Sequence, residues 1–132
     1  MNTYQEYSKM PFSLTLEEMA TLHDQIIEEV GNDELATELF EELLSQALKY
    51  SEYRSHWMFW SREEKMDNDP SRTACHNSLI VKFNVLARYL RQNGKSASWR
   101  DTLGDENENP YVRKRIGDFA CYLIFVESIL SR

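Results

Sequence analysis

The chain has 132 residues, 42% of them hydrophobic and 28% charged, with four glycines, three prolines and two cysteines. This composition supplies a packed core and excludes a disordered, collagenous or disulfide-scaffold chain. The formal net charge of −7 argues against nucleic acid as a partner.

An all-α single domain over 1–132 is expected, a bundle of four main helices plus one short helix, with 1–12 as a loosely ordered N-terminal arm. Thr15-Leu16-Glu17-Glu18 fits a capping box and opens the first helix. Leu16, Met19, Ala20, His23, Ile26, Ile27 and Val30 then repeat at helical spacing, and Gly31 supplies the stop. Asn32 or Asp33 caps a second, long helix whose apolar residues recur from Leu35 to Tyr50 and on toward Trp57 or Trp60. Residues 61–72 are polar and carry no apolar period, so they are read as a loop. Asp69-Pro70 resembles a cap followed by a first-turn proline, starting the third helix. That helix carries His76, Leu79, Ile80, Phe83, Leu86, Ala87 and Leu90 on one face and ends at Gly94. Ser96 to Gly104 reads as a short capped helix, and 105–109 as a polar loop. Asn109-Pro110 begins the last helix. Its middle, Phe119 to Val126, is apolar all round, which suits the buried centre of a bundle or, if left uncovered, a homodimer surface.

No apolar run reaches the roughly 18 residues of a membrane span. The N-terminus lacks a basic start followed by an apolar stretch, so no signal peptide is expected. With two unpaired-looking cysteines, the expected compartment is the cytoplasm.

Charge divides the chain. Residues 1–48 hold eleven acids against one base, a balance of −10, while 49–132 hold eleven acids and fourteen bases, a balance of +3. An acidic front attracts basic protein surfaces and raises association rates. Glu38, Glu41 and Glu42 are its centre. Trp57, Phe59 and Trp60 lie in the five-residue cluster His56-Trp57-Met58-Phe59-Trp60, too many large side chains for one helix face. Burial as a bundle plug is the favoured reading of that cluster, and exposure as a set of binding anchors the alternative.

Asp118 precedes the apolar run of the last helix and needs a partner if buried. Asn77, Asn84, Arg88 and Arg91 recur along the third helix near 3.6 spacing. A polar seam is therefore expected between the third and last helices, built from Asn84, Arg88 and Asp118 and centred on an Arg88–Asp118 pair. It serves either as a packing register or as a pocket for a small anion or other ligand.

Chemistry-bearing motifs are sparse. Arg115-Ile116-Gly117-Asp118-Phe119 resembles the second metal motif of helical nucleotide pyrophosphohydrolases, but Arg115 stands where that motif has glutamate. Glu41-Glu42 is followed three residues on by Ser45 rather than by the acid their first motif requires. Both halves of such a site fail. His23, His56 and His76 lie on three helices and are the weak metal candidates, with no Glu-x-x-His or His-x-x-x-His spacing among them. No phosphate loop and no nucleophile elbow is present, and no cofactor is expected.

These features imply a small acidic cytoplasmic protein that binds a basic partner protein, in the manner of an inhibitor, immunity or antitoxin-like factor. The competing class is a helical-bundle metal- or ligand-binding protein, or an enzyme, using core histidines and carboxylates.

Overall fold

The computed structural model describes residues 14–57, 59–104 and 110–130, with side chains 57, 110–114 and 129–130 outside the description. The expected N-terminal arm over 1–12 and the polar loop over 105–109 lie outside the described residues. Five helices follow in order: α1 Leu16–Val30, α2 Glu34–Trp57, α3 Arg62–Gln92, α4 Ser98–Leu103 and α5 Pro110–Leu130. Among the described residues there is no strand. The fold is an all-α helical bundle. Helix α2 is its hub, packing most extensively on α3 and α5, with α1 and the short α4 completing the core.

The ends of the helices follow from local chemistry. Thr15 Oγ1 accepts from the Glu18 backbone N at 3.0 Å, and the Glu18 carboxylate accepts from the Thr15 N at 3.0 Å, closing the expected capping box. Gly31 ends α1 at φ +51°. Asp33 Oδ1 accepts from the Leu35 and Ala36 backbone N–H groups and starts α2.

The Asp33 carboxylate also receives the Tyr89 hydroxyl, at 3.0 and 2.7 Å to its two oxygens, which ties the start of α2 to α3. The Ala36 amide first, then Tyr89, hold the Asp33 carboxyl below its ordinary range. A group whose folded pKa is depressed contributes stability above its unfolded value and loses it as pH falls through the folded one. Asp33→Asn keeps a capping oxygen and removes the titration. Thermal melts across the acidic range are expected to show the variant less stable than wild type near neutrality, with the gap closing as pH falls. A gap independent of pH would contradict this role.

Two expectations are corrected. Residues 61–72 are not a loop: Arg62 opens α3, and Pro70 lies inside that helix. Ser61 Oγ accepts from the Glu64 N at 3.2 Å while the Glu64 carboxylate accepts from the Ser61 N at 3.3 Å, a second capping box. Glu63 and Glu64 complement the positive end of the helix. This polar segment is largely exposed, so it has no apolar face to bury and shows no apolar period. Helix α4, for its part, has no side-chain cap. Its N-cap residue Ala97 sits at φ +47°, a left-handed conformation that costs an L-residue about 1–2 kcal/mol.

A carboxylate from α1 compensates. Glu29 accepts from the Ser96 hydroxyl at 3.2 Å, the Ala97 backbone N at 3.1 Å and the Trp99 indole N–H at 2.8 Å. This clamp sets α4 against α1 and drives the indole of Trp99 into the core, where it is fully buried. Phe83 of α3 meets Trp99 at 6.3 Å between ring centroids and Phe119 of α5 at 6.0 Å. The core centre is thus aromatic, walled by Met19, Ile26, Leu43, Leu79, Leu86 and Leu123.

Helix α5 is only partly the all-round-buried element expected. Ile116 to Ala120 are buried, whereas Ile124, Phe125 and Val126 are half-buried, the first two packed against the core.

Candidate functional site

Helix α2 presents one continuous solvent face. Glu38, Glu41, Glu42, Ser45, Lys49, Glu52 and His56 are all exposed and recur at three- and four-residue steps. The eighteen residue steps from Glu38 to His56 span about 27 Å. The acidic end carries Glu38, Glu41 and Glu42, of which Glu42 pairs with Lys82 of α3 at 3.3 Å. The other end is aromatic. The Phe59 amide donates to the His56 carbonyl at 2.9 Å as the chain leaves α2. Trp60 turns back so that its ring meets Tyr53 edge-on at 6.4 Å and His56 at 6.1 Å.

Within the aromatic cluster, Phe59 does not plug the bundle. Phe59 is 88% exposed and Trp60 half-buried, while the side chain of Trp57 lies outside the described residues. For Phe59 the favoured reading of burial is corrected: α2 ends before it, and the turn toward α3 leaves its ring in solvent. Beside the turn, α2 and α3 enclose an open cleft of about 550 Å³. Gln46, Lys49, Tyr53, Trp60, Ser71 and Cys75 line it. Gln46 Nε2 donates to the Cys75 carbonyl at 3.1 Å and lies 3.3 Å from its sulfur. Burial raises the Cys75 thiol pKa above its ordinary value.

The polar seam expected between the third and last helices, centred on an Arg88–Asp118 pair, does not form. Asp118 is fully buried and pairs with Arg54 of α2, not with Arg88. The reason is geometric. Helix α2 packs directly on α5, whereas Arg88 is exposed to solvent on α3. Arg54 Nη1 also reaches the Cys121 sulfur at 3.8 Å. Burial works against the Arg54 charge, but Cys121, Asp118 and Tyr50 outweigh it and hold the guanidinium protonated. Burial likewise raises the Cys121 and Tyr50 pKa values. Gly117 is required here: a Cβ at this position would lie 2.6 Å from the Tyr50 hydroxyl. Tyr50 in turn packs edge-on against His76 at 5.3 Å. Arg54, Tyr50 and Gly117 escape a sequence reading that seeks partners for Asp118 only on the third and last helices. The available signals were the four-residue step from Tyr50 to Arg54 and a glycine inside an apolar helix.

Asn84 and Arg88, the other two seam residues, line a separate cleft with Arg91 and Arg100. The three histidines do not converge. His23 Nε2 lies 3.5 Å from the Glu127 carboxylate of α5, His76 packs on Tyr50, and His56 meets Trp60. Among the described residues no group of three or more His, Cys, Asp or Glu side chains could hold a metal ion. Cys75 and Cys121 are free thiols. No helix among the described residues is long and apolar enough to cross a membrane.

The fold and these surfaces define an all-α bundle with a charged and aromatic outer helix face. Comparison with protein families, with curated proteins and with solved structures finds no match.

Proposed function

We propose that this chain is a non-catalytic protein-binding protein of the cytoplasm, of the inhibitor, immunity or antitoxin kind, that captures a basic partner along the outer face of α2. The observation that carries the reading is Phe59, a phenylalanine 88% exposed at the aromatic end of a helix face whose other end is acidic. An exposed aromatic beside a cleft is an anchor in search of an apolar pocket. The carboxylates of Glu38, Glu41 and Glu42 steer a basic surface onto the same face. The two free thiols agree with a reducing compartment.

The test is affinity capture with three baits, wild type, Phe59→Ala and the triple charge reversal E38K/E41K/E42K, each at low and high salt, read by mass spectrometry. A basic protein held by wild type at low salt, released at high salt and lost by both variants is expected. Surface charges are screened beyond about 10 Å at 0.1 M salt, so the steering contribution must fade. Partners identical for all three baits, or retention independent of salt, would overturn the reading.

Self-association is a second reading, favoured by the incompletely buried Ile124, Phe125 and Val126 on α5. A monomeric mass by light scattering would exclude it.

A further inference from the structure

The longest helix turns one whole side to solvent. Helix α3 buries Leu79, Phe83, Leu86 and Leu90 on its core side. On the opposite side stand Asp67, Ala74, Val81 and Arg88, each seven residues from the next and all exposed. Two helical turns take about 7.2 residues, so this spacing draws a nearly straight stripe along the helix. Pro70, Ser78 and Val85, also exposed, fill the turns between them. From Asp67 to Arg88 the stripe runs about 32 Å.

The stripe has an apolar middle and two ends of opposite charge. Val81 is 56% exposed and Val85 lies one turn further on. Among the described residues neither Asp67 nor Arg88 takes part in an ion pair. The first turns of α3 are largely exposed as well, although helices draw most of their stability from packing one face rather than from propensity. The charge layout says what fits this side. A uniformly basic or uniformly acidic partner matches one end and clashes with the other. A second copy laid parallel sets like charges opposite each other. A second copy laid antiparallel matches both ends at once.

We propose that the outer stripe of α3 is the interface of a homodimer, in which α3 packs antiparallel on α3 of a second copy about a two-fold axis. A two-fold interface requires that if one residue meets another, the second meets the first. The seven-residue spacing satisfies this in a single register: Asp67 faces the partner's Arg88 and Ala74 faces the partner's Val81, each pairing occurring twice. In the same register Pro70 faces the partner's Val85. Small side chains opposite larger ones let the two helices approach closely. The proposal rests on the self-association reading and places it on α3 rather than on α5. The stripe shares no residue with the outer face of α2.

The test is sedimentation velocity of the full chain over a concentration series, on wild type, Asp67→Arg, Arg88→Asp and the double variant D67R/R88D. Both positions are exposed, so the substitutions leave the fold intact, which a thermal melt checks. Wild type is expected to pass from monomer to dimer as concentration rises. Each single reversal acts at two symmetric places and turns attraction into repulsion, so about tenfold weaker dimerisation is expected. The double variant restores opposite charges across the axis and is expected to recover wild-type dimerisation. A dimer indifferent to both single reversals, or a double variant as weak as either one, would overturn the α3 interface while leaving self-association to another face such as α5. A monomer at every concentration would overturn both readings and leave a different protein as the occupant of the stripe.

Discussion

Arg54→Ala is expected to lower the unfolding free energy by about 3–5 kcal/mol, the cost of stripping one member from a buried ion pair. The variant leaves Asp118 fully buried beside an apolar stretch of α5, with its guanidinium partner gone. The reciprocal change is milder. Arg54 is 24% exposed, so in Asp118→Ala its charge can be hydrated from the surface. This asymmetry is the diagnostic result in urea denaturation of the two variants. A double variant, R54M/D118L, is expected to recover most of the loss, because apolar side chains of similar volume replace buried pairs at little cost. If Arg54→Ala unfolded within about 0.5 kcal/mol of wild type, an ordinary surface substitution by its magnitude, the pair would have no structural role. Arg88→Ala is expected to behave as such a surface substitution, which separates this pairing from the one expected on sequence grounds.

Trp99→Ala carries a loss of similar size, about 3–5 kcal/mol for a fully buried indole. Two things fail together. The centre where α3, α4 and α5 meet loses the ring against which Phe83 packs, and Glu29 loses its shortest donor. Trp99→Phe separates them, since it keeps an aromatic ring and removes only the N–H; about 1 kcal/mol is expected from that hydrogen bond. Glu29→Gln should fall near Trp99→Phe, because an amide oxygen can still accept from one or two of the three donors. Equal stability of W99A and W99F in denaturant titrations would place the whole effect in the hydrogen bond and refute the packing argument.

Much of this architecture was legible in the chain. The all-α class, the Thr15 cap, the Gly31 stop and the length of α2 follow from interactions within a few residues of one another, and local chemistry narrows the second cap to Asn32 or Asp33. The short helix was legible by its bounds but not by its cap, because the groups that satisfy Ala97 and Trp99 belong to Glu29, some seventy positions away along the chain. The first turns of α3 were missed although Ser61-x-x-Glu64 repeats the Thr15-x-x-Glu18 pattern. A helix segment with little apolar surface to bury shows no apolar period, and the capping residues are its clearest trace.

The surfaces divide in the same way. That the front of the chain is acidic, that Asp118 needs a partner and that the Trp57 to Trp60 cluster cannot fit one helix face are all properties of residues and their spacing. Which guanidinium meets Asp118, whether Phe59 points inward or out, and that Asn84 and Arg88 join Arg91 and Arg100 rather than Asp118 are matters of which helix faces which. Spacing along a helix assigns a residue to a face but says nothing of the neighbour that face will meet. That is settled when the apolar stripes of all five helices are buried at once, and the polar residues take whatever partners the resulting packing leaves within reach.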